Sequence, residues 1–244
     1  MFVFLQILVS KMNLMIKRIQ ILLLLSLPIL LKSQSFYFGP ALGPAANFQR
    51  WEESDNDPLI SINADVFVES VAEETKSAFF AMLGYRTRGS STIFTNSFSG
   101  VNISSYKYKF GNAVLELGAK RYLNDNESRP YYMVGIRGEY TINTNLSEYD
   151  KFQTPFFPND AFVNKLVYGF SFGGGFEKRI NDFLNGFIQL SVSPDLNNQY
   201  YQAPLQNVPA PGGFGTISIP ERRVKNTSVE LKFGLKILRK VVYE

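Results

Sequence analysis

Charged residues recur at every second position along several stretches of this chain, and they come in both signs. Asp65 and Glu69, Arg86 and Arg88, Glu116 and Lys120, Arg137 and Glu139, and Glu230, Lys232 and Lys236 each share one parity of an alternating run; Glu177 sits alone on another. Carboxylates at such spacing could act as general acid and general base, Glu116 with Glu230 for instance, if their strands stand close together. The same residues could be partners in ion pairs, and that reading is preferred. Each acid has a cation at inward parity on another run, and paired charges tolerate enclosure where single ones do not.

The residue types that are missing narrow the chemistry further. There is no histidine, so a weak nucleophile would have no side chain titrating near neutral pH beside it. There is no cysteine, which excludes thiol catalysis, disulfides, a zinc–thiolate centre and a lipid-modified cysteine. Gly173-Gly174-Gly175 lacks the spacing of a phosphate-cradling loop. The acidic stretch of Glu52, Glu53, Asp55 and Asp57 offers oxygen ligands of the kind calcium takes, but a solvated loop is the preferred reading. No catalytic residue, no cofactor and no metal site are expected.

The elements that must position these charges are strands. Eight stretches alternate apolar and polar residues with period two: 35–48, 59–69, 77–88, 103–123, 130–144, 162–180, 186–193 and 224–238. In the last, Val229, Leu231, Phe233, Leu235 and Ile237 oppose Ser228, Glu230, Lys232, Gly234 and Lys236. In the fourth, the alternation is expected to change phase near Gly111-Asn112, as at a bulge. The connections run long, short, long, short, long, short, long. A meander with charges on one face and apolar side chains on the other predicts an all-β fold, an eight-stranded antiparallel up-and-down transmembrane β-barrel with its charges in the lumen. Tyr106, Tyr108, Tyr122, Tyr131, Tyr132 and Tyr140, near strand ends, are expected to form interfacial girdles.

Lys17 and Arg18 precede an apolar run from Ile19 to Leu31 that is too short to span a bilayer. Residues 1–33 therefore read as a signal peptide cut between Ser33 and Gln34, with translation starting at Met12 or Met15, and residues 34–244 as the barrel. Of 25 basic and 21 acidic residues, Lys11, Lys17, Arg18 and Lys32 lie in that leader, which leaves 21 of each sign. A balanced mature chain has no basic footprint for nucleic acid.

Four stretches carry a family likeness: Leu115-Glu116-Leu117-Gly118-Ala119-Lys120-Arg121-Tyr122, Arg129 to Gly135, Tyr168 to Glu177, and Asn226 to Leu235. On these the chain, over about residues 35 to 240, resembles the PorT-like outer-membrane β-barrel family of Bacteroidetes, with an OmpA/OmpX-like eight-stranded architecture. The resemblance implies residence in the bacterial outer membrane, with periplasmic termini and extracellular long loops. It also implies contact with outer-membrane lipid and lipopolysaccharide. The family's namesake belongs to the type IX secretion system, so a scaffold or assembly role with other envelope or secretion proteins is the expected function. Known barrel enzymes of the outer membrane resemble one another in using a histidine, which this chain lacks. The aromatic residues of the long connections, Trp51, Tyr149, Phe152, Phe156, Phe157, Tyr200, Tyr201 and Phe214, are candidates for partner contact, with a self-packed cap as the open alternative. A run of small inward residues, Gly169, Ser171, Gly173 and Gly175, motivates a second reading as a small channel or ligand-binding barrel.

Overall fold

The computed structural model describes residues 35–51, 55–70, 76–95, 102–152, 157–210 and 215–240. Residues 1–34, with the expected cleavage site Ser33/Gln34, lie outside that set, as do Phe156 and Phe214. The strands are β1 (Phe36–Gln49), β2 (Asp55–Ser70), β3 (Ser77–Thr95), β4 (Asn102–Tyr122), β5 (Ser128–Thr144), β6 (Leu166–Arg179), β7 (Leu184–Pro194), β8 (Tyr200–Gln202), β9 (Leu205–Pro209), β10 (Thr216–Ile219), β11 (Arg222–Val224) and β12 (Asn226–Arg239). Eight of them close a barrel in the order β1-β12-β7-β6-β5-β4-β3-β2. Every neighbouring pair is antiparallel, and the Phe36↔Arg239 pairing closes the ring. Closure leaves no unpaired sheet edge, a condition for strands in hydrocarbon.

The polarity is inside out. Ile62, Phe79, Leu166 and Phe233 are among many large apolar side chains that stand exposed on the outer wall, Ile62 at 75%. The buried set is dominated by Arg, Lys, Glu, Asp, Asn and Gln. A water-soluble barrel would present the reverse, since large contiguous apolar surface is not left in water. The fold is that of an outer-membrane barrel. No helix among the described residues is long and apolar enough to cross a membrane; the crossing is by strands.

Chain direction sorts the connections by rim. The two barrel ends, Phe36 and Arg239, share one rim with the connections β2–β3, β4–β5 and β6–β7; the other four connections, including the long β5–β6 and β7–β12 segments, share the other. We call these the turn rim and the loop rim.

Several expected boundaries shift at the loop rim. β2 begins at Asp55 rather than Leu59 and β3 runs to Thr95 rather than Arg88, paired from Asp55↔Ile93 to Pro58↔Ser90. Polar Ser/Thr-rich strand above the apolar belt has no alternation to read. Phe162 belongs to a short 3-10 turn, Asp160–Phe162, capped by the Asn159 side chain, and β6 starts at Leu166. The last long connection is not irregular throughout: β8 pairs with β11 and β9 with β10. Near Gly111-Asn112 the ladder does shift register, but the extra residue is Ile142 on β5. β4 keeps its phase. Tyr108, Phe110, Asn112, Val114 and Glu116 are all buried at one parity, and the inward residues change from polar to aromatic where the loop-side core begins. At Gly89, a φ of +151° and the Tyr108 carbonyl 2.0 Å from where a Cβ would stand admit only glycine.

The girdle expectation is corrected for four of its six members, Tyr106 among them, which packs against the buried cluster of Trp51, Tyr108 and Tyr149. Tyr108, Tyr122 and Tyr131 are buried inside the barrel, while Tyr132 and Tyr140 face outward. The parity of Tyr122 with Lys120, and of Tyr131 with Met133 and Arg137, already placed them inward.

Candidate functional site

The lumen is stacked in layers. Nearest the turn rim, Glu69 from β2 and Glu177 from β6 face Lys120 from β4 and Lys236 from β12. Lys120 Nζ lies 2.7 Å and Lys236 Nζ 2.5 Å from the Glu69 carboxylate, and Lys236 also pairs with Glu177. The Tyr122 hydroxyl joins both acids, at 2.6 Å from Glu69 and 2.8 Å from Glu177. Asn185 Nδ2 donates to Glu177 at 2.8 Å, and Arg129, the second residue of β5, pairs with it. Each carboxylate oxygen thereby has a donor, which is what makes a buried pair tolerable.

Above this lies an apolar layer of Ala41, Phe67, Phe80, Met82, Met133 and Phe187. The Lys120 ammonium is surrounded by the rings of Phe67, Phe80, Tyr131 and Phe187, at 5.8, 5.3, 5.0 and 5.2 Å from their centroids. Ring faces stabilise a desolvated cation, and here four of them surround the Lys120 side chain that pairs with Glu69.

The third layer is the largest. Arg86 reaches Asp65 at 3.2 Å, Glu116 at 2.7 Å and Glu230 at 3.7 Å. Lys232 bridges Asp65 at 3.0 Å and Glu230 at 3.1 Å. Arg88 lies 2.6 Å from Glu139 and 2.8 Å from Glu230, and donates to the Ser228 hydroxyl at 2.6 Å. Arg137 pairs with Glu139 and, at 2.6 Å, with Asp195. Asn112 donates to Glu139 at 2.6 Å. All of these side chains are nearly fully buried. Among the described residues, each lumen carboxylate therefore has a cation, and none is left to act as a free base.

The inward glycines are filled rather than empty. Gly84 pairs with Asp65, Gly118 with Phe80, Gly169 with Arg137, Gly175 with Tyr131 and Gly234 with Phe187. In each case the large partner lies within 3 Å of where a Cβ would stand. A missing side chain on one strand makes room for a large one directly across the ladder. This weighs against the small inward run of β6 as the wall of an open cavity.

A second core closes the loop rim. Trp51, Tyr108, Phe110, Leu146, Tyr149, Tyr200 and Val224 are buried together, with Tyr106, Phe157, Phe162 and Val163 packed against them. The Trp51 ring lies 4.9 Å from Tyr108 and 5.0 Å from Tyr200, and Tyr149 stacks on Phe157 at 5.9 Å. The Tyr149 hydroxyl donates to the Lys107 carbonyl at 2.9 Å. Burial pushes the hydroxyls of Tyr149 and Tyr200 above the ordinary tyrosine pKa. Of the aromatic residues offered as partner contacts, Trp51, Tyr149 and Tyr200 are thus spent on a self-packed cap, with Phe157 half-buried against it. Tyr201 is exposed at 41%. The Phe152 side chain lies outside the described residues.

All twelve charges singled out in the sequence, Asp65, Glu69, Arg86, Arg88, Glu116, Lys120, Arg137, Glu139, Glu177, Glu230, Lys232 and Lys236, fall in these two networks. Asp195, Arg129, Asn112 and Tyr122 were missed. Parity signalled Asp195, which continues the inward series Gln189, Ser191, Ser193, and Asn112 and Tyr122, which share the parity of Glu116 and Lys120. Arg129 reads from the sequence as part of the preceding turn; it is the second residue of β5, at the inward parity of Tyr131 and Met133 and paired with Glu177. No group of His, Cys, Asp and Glu among the described residues could hold a metal ion. Of the acidic stretch 52–57, residues 52–54 lie outside the described set.

No protein-family model matches the chain, and no curated protein is similar to it. Among solved structures, the outer membrane protein OprG of Pseudomonas aeruginosa is similar at 10% identity, over 86% of this chain and 98% of that one, with a TM-score of 0.49. Neisserial surface protein A is similar at 10% identity, over 83% and 96%, with a TM-score of 0.47. Ail, the attachment invasion locus protein of Yersinia pestis, solved with the heparin analogue sucrose octasulfate, follows at 10% identity, over 83% and 99%, with a TM-score of 0.37.

Proposed function

We propose that this protein is a non-enzymatic component of the bacterial outer membrane that serves as a scaffold or assembly partner in an envelope or secretion complex. The observation that carries this reading is the filled lumen: two buried ion-pair networks separated by an apolar layer, beneath an aromatic cap. An eight-stranded barrel has an interior just wide enough for side chains, and here they use it. The work of such a barrel falls to its outer wall and its rims. A type IX-like secretion role is the specific form suggested by the PorT-like strands 115–135 and 168–177.

Orientation follows from the even strand number and the habit of bacterial barrels of placing short turns in the periplasm. On this reading Phe36 and Arg239 lie on the periplasmic side and the loop rim is extracellular. A cysteine placed at exposed Glu148 is then labelled on intact cells and one at Asp125 or Asp182 is not; the reverse pattern inverts the topology. The scaffold role is tested by recovery from native outer membranes in mild detergent. Defined companions in stoichiometric amount are expected, and recovery of the barrel alone in several detergents would overturn the role. The alternative of a small channel or ligand-binding barrel rests on the small β6 residues Gly169, Ser171, Gly173 and Gly175, which their neighbours occupy.

A further inference from the structure

The outer wall is apolar along its middle, and charges of both signs gather at the two rims, with Asp57, Glu148 and Asp160 exposed at the loop rim. At the turn rim a vestibule is lined by both signs: Asp125, Glu127 and Asp182 with Arg129, Arg179 and Lys240. At the loop rim, Arg50 follows exposed Phe48 on the outward face of β1, and Lys225 precedes β12 at outward parity. Exposed Lys107 and Lys109 stand at the corresponding level of β4.

Arg50 and Lys225 come together because β1 and β12 are neighbours, paired to Gln49↔Asn226. With Leu196, Asn197, Asn198 and Arg223 they line a cleft of about 440 Å3. Its wall is built in advance. Asn197 accepts from the Tyr168 amide at 2.9 Å and donates to the Leu166 carbonyl at 2.9 Å, which ties the segment after β7 to β6. Asn164 Nδ2 donates to the Asn198 carbonyl at 2.8 Å. Lys225 Nζ gives one hydrogen bond to the Leu196 carbonyl at 2.8 Å, and an ammonium has three to give. Arg223 is engaged by Glu221 at 2.8 Å, so the argument rests on Arg50 and Lys225. Directly below, Leu196, Val192 and Phe48 stand exposed. Cations beside an amide-rich cleft, continuous with an acyl-compatible wall, match an anion carried on hydrocarbon chains.

We propose that this cleft binds a phosphate group on the headgroup of an outer-leaflet glycolipid whose acyl chains lie against the wall of β1, β12 and β7. The inference rests on the outer-membrane reading above and adds a ligand of defined chemistry to it.

Native mass spectrometry of the full refolded chain in detergent micelles tests it with three probes: a diphosphorylated lipid A, a phosphate-free glycolipid with the same acyl chains, and inorganic phosphate. Each cation beside an anionic headgroup is worth on the order of fivefold in affinity. Wild type is expected to retain diphosphorylated lipid A. Arg50→Ala with Lys225→Ala is expected to lose about 25-fold, Arg50→Lys with Lys225→Arg to restore most of the binding, and Arg179→Ala with Lys240→Ala, on the turn rim, to leave it unchanged. Heat-modifiable gel migration confirms that each variant is folded. Equal retention by the double alanine variant, or equal binding of the phosphate-free lipid, overturns the proposal. Inorganic phosphate bound as tightly as the lipid also overturns it, in favour of a free-anion site. Failure of wild type to co-sediment with outer-membrane vesicles would instead overturn the membrane reading, which the micelle assay does not require.

Discussion

Arg86 is the centre of the larger lumen network, and its removal is the sharpest perturbation of the fold. Its guanidinium serves Asp65 at 3.2 Å, Glu116 at 2.7 Å and Glu230 at 3.7 Å, all nearly fully buried. Asp65 and Glu230 keep Lys232, at 3.0 and 3.1 Å, but Glu116 loses the ion pair it makes with Arg86. Arg86→Met therefore leaves an uncompensated carboxylate in the lumen and is expected to cost about 3–5 kcal/mol. Glu116→Leu removes one partner of an arginine that retains two, and is expected to cost about 1–3 kcal/mol. The double variant removes one charge of each sign, keeps the lumen balance, and is expected to fall within about 1 kcal/mol of wild type, as apolar replacements of buried pairs do. The cycle therefore predicts a coupling energy of at least about 3 kcal/mol. Urea unfolding of the protein refolded in lipid vesicles measures all four species. If Arg86→Met changes stability by less than about 0.5 kcal/mol and the two effects simply add, lumen water screens these charges and the sealed-interior argument fails.

On the outer wall, Leu235 is exposed at 46% and pairs with Gly186; Leu235→Arg is expected to cost about 2–4 kcal/mol near the bilayer midplane in the same vesicle assay. Gly118→Ala puts a methyl group 2.4 Å from the Val134 carbonyl oxygen and 2.6 Å from the Phe80 ring and is expected to cost about 1–3 kcal/mol; adding Phe80→Leu relieves only the ring contact, so recovery is expected to be partial. The cap should loosen in alkali. The hydroxyls of Tyr149 and Tyr200 titrate above their unfolded value of about 10, so their burial stabilises the folded cap fully below that pH and progressively less as pH rises through their folded pKa values. The single tryptophan, Trp51, lies within the cap, so its emission should shift to the red above about pH 10 and return on neutralisation; emission unchanged to pH 12 would detach Trp51 from these tyrosines.

The barrel, its strand count and the direction of nearly every membrane-level side chain were legible in the sequence because period two is a direct consequence of the pleat. Glu116 and Leu117 cannot face the same way, and β4 held that rule from Tyr106 to Tyr122. What was not legible lay where alternation carries no information. β8 to β11 are short pairs in a connection rich in Pro and Gly, with no belt to impose a pattern. The cap depends on contacts between Trp51, Tyr149 and Tyr200, residues far apart in the chain whose meeting is decided by tertiary packing. Tyr122 and Tyr131 show the reverse error: aromatic character near a strand end suggested an interfacial girdle, while parity, read strictly, placed them in the lumen beside Glu69 and Gln189.

The central claim is that the lumen is closed by its own side chains and the protein acts through its surfaces. Single-channel recording of refolded wild type in a planar bilayer tests it most directly, beside a variant in which Arg86, Arg88 and Arg137 are replaced by Ser to remove the cations of the upper layer. The account predicts a silent wild type across the accessible voltage range, with discrete openings only in the variant. Stable, reproducible openings of the wild type would contradict it and make the barrel a channel.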